Sequence, residues 1–282
     1  MKCFYHSADL DGACAGAIVK MKHPECELLP INYGDPFPWE SIEPQEVVYM
    51  VDFSLPLEEM HRLNGSCRLI WIDHHKSALL AAVEAQFIAW EGQKTVSGRA
   101  GCELTWEFCY PATPVPLAVE LLGRYDVWDQ SDPQRWAEEI LPFQYGMRNH
   151  PDTSPANQVL WAWVINKGFA AVAGVTLTGR TLLEYEGRQN AMYARTCAFD
   201  TEIDGLRAVA VNKGLCNALL FAEVYDPERH DVMCSFYQGK DRHWKVSLYA
   251  EKPEVDVSVL AKARGGGGHK GAAGFRCEVL PF

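Results

Sequence analysis

The chain has 282 residues, ordinary apolar and charged content, and a formal net charge of −11. The length suits two domains, and the composition excludes large-scale disorder. The acidity argues against a protein that wraps long nucleic acid, because such proteins neutralise phosphates with a basic surface.

Met1-Lys2-Cys3-Phe4-Tyr5-His6 runs directly into a predicted strand, without the basic region and apolar core of a signal peptide. No apolar run reaches the roughly 18–20 residues that a membrane helix requires. The expectation is a cytoplasmic protein with no membrane partner. Ten cysteines are scattered without a CxxC pair, so they read as free buried thiols rather than disulfides or a structural zinc site.

Residues 13–19 are small and apolar and predict a helix packed on a sheet. Val47-Val48-Tyr49-Met50-Val51 and Leu69-Ile70-Trp71-Ile72 are short β-branched or aromatic runs, each followed by an aspartate, and read as buried parallel strands. Residues 55–63, with Pro56 and early acidic residues, predict a helix between them. The β-α-β order implies an α/β fold with an open parallel sheet and flanking helices. Residues 149–155 are rich in turn formers and read as a linker. Residues 156 to about 199 read as mostly helical. A second α/β pattern follows: strands over 206–211, 232–237 and 244–250, and helices over 215–224 and 255–263. The expected division is 1–150, a helical connector over 151–199, and a smaller C-terminal α/β domain over 200–282.

Ligands of an open α/β sheet bind outside the carboxyl ends of its strands. Here the predicted strand ends carry His6-Ser7-Ala8-Asp9-Leu10-Asp11-Gly12, then Asp52, then Asp73-His74-His75. Arg124-Tyr125-Asp126-Val127-Trp128-Asp129 adds further carboxylates. One aspartate at a strand end is ordinarily a helix cap. Four clusters are better explained by cations, because converging carboxylates raise one another's pKa unless a cation relieves them. Mixed imidazole and carboxylate ligands suit manganese or a similar transition ion. Two ions can activate a water and stabilise the leaving oxygen in phosphoryl transfer. His23, His61, His150, His230 and His243 lack such context and read as structural or exposed.

These motifs, in this order and spacing, resemble those of the DHH phosphoesterase superfamily. That superfamily includes nanoRNase-type oligoribonucleases, cyclic-dinucleotide phosphodiesterases, RecJ exonucleases and family II pyrophosphatases. The resemblance implies that His6 and Asp9 hold one metal, that Asp11, His74 and Asp126 hold a second, and that Asp52 bridges both. It implies that His75 faces the substrate phosphate. Asp129, one helical turn from Asp126, is the alternative fourth-motif ligand.

Near the C-terminus stands Arg264-Gly265-Gly266-Gly267-Gly268-His269-Lys270-Gly271. Glycines let backbone amides approach an anion, and neighbouring basic residues add donors. The stretch resembles the glycine-histidine motif of the DHH-associated C-terminal domain and sets the chain apart from the pyrophosphatases. Arg264, Gly266, Gly267, Gly268, His269 and Lys270 are thus expected to bind substrate, with the active site in the cleft between domains. The implied activity is manganese-dependent hydrolysis of short oligonucleotides or small nucleotide phosphates. The alternatives are a cyclic-dinucleotide or mononucleotide phosphatase, or a catalytically silent nucleotide sensor. No sequence feature sets an oligomeric state.

Overall fold

A computed structural model describes residues 1–94 and 98–282 and divides the chain into two compact units, Met1–Leu183 and Glu184–Phe282. In the first, β1 (Lys2–His6), β2 (Glu27–Ile31), β3 (Val47–Val51) and β4 (Arg68–Ile72) form a parallel sheet in the order β2-β1-β3-β4. The helices are α1 (Leu10–Lys22), α2 (Leu57–Ser66), α3 (Lys76–Glu84), α4 (Gly101–Cys109) and α5 (Leu117–Asp126). Next, α6 (Pro133–Arg135) passes through a π turn at Trp136–Ile140 into α7 (Leu141–Arg148), followed by α8 (Gln158–Asn166). The α9 helix (Phe169–Cys197) carries the chain into the second unit.

The strand period of two divides the first unit's apolar residues between two faces. Cys3, Tyr5, Tyr49, Val51, Ile70 and Ile72 share one core with buried residues of α1, α4, α5, α7 and α8. Phe4, Val48, Met50, Leu69 and Trp71 pack on the other side with Met60 and Leu63 of α2 and Leu79 of α3. The turn-rich residues 149–155 lie between α7 and α8, and Leu160, Trp161, Val164 and Ile165 of α8 belong to the first unit's core. Among the described residues no single helix is long and apolar enough to cross a membrane; only α8 and α9 together pass on length and composition, and they meet at 109°.

In the second unit, β5 (Phe199–Ile203), β6 (Leu206–Asn212), β7 (Val232–Gln238), β8 (Trp244–Tyr249), β9 (Gly267–His269) and β10 (Ala272–Cys277) form a mixed sheet. Its order is β5-β6-β7-β8-β10-β9, with α10 (Val257–Lys262) preceding β9. The helix expected over 215–224 is not formed. Leu215 sits at φ +54°, outside the helical region, and one 3-10 turn, Ala218–Phe221, capped by Asn217, is all that follows.

Asp231 clasps the start of this sheet. It accepts two hydrogen bonds from the Arg207 guanidinium, at 2.8 and 3.1 Å, and one from Lys252 Nζ at 2.7 Å. The Arg207 and Lys252 cations hold its carboxyl well below the usual range. A depressed folded-state pKa stabilises the protein above the unfolded value of about 3.9, and this stabilisation is lost as pH falls through the folded value. Asp231→Asn should therefore lower the melting temperature of the second unit at pH 7. The gap from wild type should narrow below about pH 4 in thermal melts run across pH. A gap that does not change with pH would contradict the assignment.

Candidate metal centre

The strand order places the topological switch point between β1 and β3, since the chain leaves β1 toward β2 on one side and toward β3 on the other. His6 ends β1 and Asp52 follows β3, so the two stand on either side of that point. Asp73-His74-His75 follows β4, the next strand along.

Three sets of side chains bring their ligand atoms within 4.8 Å of one another: His6, Asp9 and Asp52; Asp11, His74 and Asp126; and Asp52, His74 and His75. His6 Nδ1 lies 3.0 Å from Asp9 Oδ2 and 3.5 Å from Asp52 Oδ2. His74 Nε2 lies 3.2 Å from Asp52 Oδ1, 3.2 Å from Asp126 Oδ2 and 3.7 Å from Asp11 Oδ2. All six residues implied as metal ligands thus meet at one sheet edge. Asp129 does not join them. Its carboxylate accepts from the Ser131 hydroxyl at 2.6 Å and from Arg124 at 3.3 Å.

Local backbone chemistry aims each ligand. Asp9 is the N-cap of α1, accepting from Gly12 N–H at 3.0 Å through one oxygen while the other faces His6. One carboxylate thus serves both as cap and as candidate ligand. Gly12 is required because a Cβ there would sit 2.1 Å from His6 O. Asp52 caps no helix, since α2 begins only at Leu57 after Pro56. It instead takes φ +53°, a left-handed conformation that aspartate tolerates better than most residues. Its N–H donates to Ile72 O at 2.8 Å, and Trp71 Nε1 holds the next carbonyl, Phe53 O, at 3.1 Å.

Asp11 is gripped by the start of α4. Gly101 N–H donates to one of its oxygens at 2.7 Å and Cys102 N–H to the other at 2.8 Å. Helix amino termini favour such anions. The buried Glu103 accepts from Ala100 N–H at 3.0 Å and pairs with Arg124 of α5. Glu103 therefore links the helix that holds Asp11 to the helix that ends at Asp126. Gly101, Glu103 and Arg124 escape a reading by ligand type, because they touch the candidate ligands or their helices through backbone and packing.

The electrostatics fit cations. Burial, then the neighbouring Asp11 charge, raises Asp52 well above the usual carboxylate range. Burial and the charges of Asp11 and Asp52 do the same to Asp126, which also stands at the unfavourable carboxyl end of α5. Burial would lower His6, but Asp52 and Asp9 outweigh it and push it up to about 10. His6 Nδ1 and Asp52 Oδ1 are buried and make no hydrogen bond, despite close neighbours. Buried polar atoms without partners are costly, and cations beside His6 and beside Asp52 Oδ1 would satisfy them. The donor set of imidazole nitrogens and carboxylate oxygens suits divalent transition ions.

His75 is placed differently. Asp73, fully buried at the end of β4, accepts from His74 N–H at 2.8 Å, His75 N–H at 3.1 Å and His75 Nδ1 at 2.7 Å. Burial would raise Asp73, but the His75 ring and backbone N–H hold it low. Burial would lower His75, but Asp73 raises it. The pair thus shifts His75 toward its protonated form and fixes the orientation of its ring.

The C-terminal glycine cluster lies in the second unit. Gly267–His269 forms β9, an exposed edge strand hydrogen-bonded to β10, and not an open loop. A Cβ at Gly266 would sit 2.1 Å from Gly274 O, and one at Gly268 would sit 2.5 Å from Ala273 Cα, so both glycines serve close hairpin packing. Gly268 also sits at φ +138°. Arg264 donates to Asp204 at 2.7 Å and to Leu260 O at 3.2 Å. Lys270 and Gly271 form the exposed turn between β9 and β10, where Lys270 O accepts from Val257 N–H at 3.0 Å.

Two predictions follow from this geometry. His6, pushed up to about 10, carries a proton at pH 7 that a cation would displace, and Asp52 and Asp126 are shifted in the same direction, so metal binding should release protons. Manganese titrations by calorimetry in buffers of different ionisation enthalpy should give different apparent enthalpies; identical values would contradict the assignment. A Cβ at Gly101 would stand 2.6 Å from Asp52 Cβ and 2.9 Å from Asp52 Oδ1. Gly101→Ala should cost about 1–3 kcal/mol of stability. It should also weaken manganese binding more than an alanine at the open position Gly65. Equal metal affinity in the two variants would show that α4 does not set the site.

No family model matches the chain. The chain is 25% identical over 251 residues to uncharacterized protein R106 of Acanthamoeba polyphaga mimivirus, covering 83% of this chain and 55% of that protein. It therefore spans about half the length of the curated relative it matches. Among solved structures it is similar to a pGpG-specific phosphodiesterase from Vibrio cholerae, with TM-score 0.56, 12% identity, and coverage of 98% of this chain and 92% of that one. It is also similar to an exopolyphosphatase-related protein from Bacteroides fragilis, with TM-score 0.51, 13% identity, and coverage of 99% and 87%. The parallel sheet followed by a second, mixed-sheet unit is thus a fold that this chain shares with these two structures.

Proposed function

We propose that this protein is a manganese-dependent phosphoesterase that hydrolyses short oligonucleotides or small nucleotide phosphates. The observation that carries the proposal is the meeting of two imidazole–carboxylate sets at the switch point, with Asp52 between them and buried ligand atoms lacking hydrogen-bond partners. In this reading His6, Asp9 and Asp52 hold one divalent cation, and Asp11, His74 and Asp126 hold another. When bound, such a pair supplies water activation and stabilises charge on phosphoryl oxygens.

The chain's own groups do the rest. His75, with Nδ1 committed to Asp73, would face the phosphate and stabilise the charge that develops there. The amino terminus of α4 fixes Asp11, so the carboxylate needs no rearrangement on binding. The glycine hairpin, with His269 and Lys270, would hold the nucleotide end of the substrate. A small substrate also suits the net charge of −11. The fold-level likeness to a phosphodiesterase named for pGpG supports a short nucleotide.

Metal analysis and a turnover panel test the reading. With manganese, the wild type should cleave dinucleotides and a generic phosphodiester; failure to bind manganese or to cleave either would end the proposal. Asp52→Ala should abolish turnover and lower metal content, and near-wild-type values for both would show that it bridges nothing. His75→Ala should keep its metal yet lose rate by about 10²-fold or more, the scale of a lost electrostatic stabiliser or general acid. His74→Ala should deplete metal. Equal depletion in both variants would refute this division of roles.

A further inference from the structure

The turn after β2 carries an aromatic side chain that none of the chemistry above uses. Asn32 N–H donates to Asp35 Oδ2 at 2.9 Å, and Asp35 N–H donates to Asn32 O at 3.1 Å, so residues 32–35 close on themselves. Gly34, at φ +95°, allows the reversal. The turn leaves Tyr33 58% exposed. Its ring centroid lies 4.7 Å from that of Phe53, 5.7 Å from His6 and 6.1 Å from His75, meeting both imidazoles edge-on.

Single exposed aromatics are common on protein surfaces and need no explanation. Tyr33 differs in three respects. It stands against both His6 and His75, a short turn holds its backbone, and more than half of it is open to solvent. A group bonded to a phosphate at His6 and His75 would therefore meet this ring first. Nucleobases stack on such rings whatever their hydrogen-bonding pattern, because every base has a π face.

We propose that Tyr33 is the stacking platform for the nucleobase next to the phosphate held at the His6–Asp9–Asp52 set; this rests on the phosphoesterase reading and names one of its binding subsites. The ring contributes affinity for the base, not chemistry at phosphorus. It selects nucleotides over other phosphoesters without selecting among bases.

Tyr33→Phe and Tyr33→Leu test this in the full chain with manganese. Calorimetry compares AMP with ribose 5-phosphate, which carries a hydroxyl in place of the base. Wild type and Tyr33→Phe should prefer AMP by about 10-fold. Tyr33→Leu should lose that preference while keeping its manganese affinity and its affinity for ribose 5-phosphate. On a dinucleotide, Tyr33→Leu should raise KM about 10-fold and leave kcat within about twofold. The proposal is overturned if wild type shows no preference for AMP, or if Tyr33→Leu keeps it. An equal loss in Tyr33→Phe would assign the effect to the hydroxyl, and a fall in manganese affinity would make the ring a support for the imidazoles; either overturns stacking. A wild type that binds manganese and prefers AMP but cleaves no phosphoester would defeat the hydrolase reading alone, since the AMP comparison still decides the role of Tyr33.

Discussion

The mutual repulsion of four carboxylates at one sheet edge is the constraint around which the first unit is organised. Asp9, Asp11, Asp52 and Asp126 converge with His6 and His74, with Asp11, Asp52 and His6 buried and Asp9 and Asp126 partly so. Left alone, such a group resolves its conflict by holding protons, which is the direction in which Asp52 and Asp126 shift. A folded protein retains such an arrangement at a cost, and the surrounding structure is built to maintain it. Asp52 accepts a left-handed backbone, Gly101 gives up a side chain to make room, and α4 directs two amides at Asp11.

The same constraint explains the connection between α4 and α5. A carboxylate at the end of α5 is unfavourable for that helix, so Asp126 needs an external hold. Arg124, two residues earlier, pairs with the buried Glu103, and Glu103 also accepts from the amide that opens α4. Gly123 gives Glu103 its space, since a Cβ there would sit 2.7 Å from the Glu103 carboxylate. The helix that holds Asp11 and the helix that ends at Asp126 are thereby joined beside the site.

Much of this was legible in the sequence because strand ends are where ligands of a parallel sheet belong. The apolar runs ending at Val51 and Ile72 locate β3 and β4 to within a residue, and the polar residues after them locate the site. Other features leave no periodic trace. Pro30 disguises β2, a strand that tolerates proline because it lies at the sheet edge. Asp52 looks like a cap, and the start of α2 at Leu57, after Pro56, shows otherwise. The 215–224 stretch has helical composition, yet Leu215 is left-handed and almost fully exposed. Gly101 and Glu103 act through space that ligand motifs do not describe. Tyr33, one aromatic in a polar turn, acquires meaning only from the two histidines beside it. The glycine cluster reads as an anion-binding stretch with free amides, but antiparallel pairing with β10 makes it a strand edge.

The positions of the ligands along the chain bear on the order in which the site is assembled during synthesis. His6, Asp9 and Asp52 all precede the last strand of the first sheet, whereas the Asp11–His74–Asp126 set remains incomplete until α5 has emerged. Domains fold largely as units as they are made. All six residues belong to one unit, so the whole cluster, with the Glu103–Arg124 pair that joins α4 to α5, is available only once the chain through α5 has emerged.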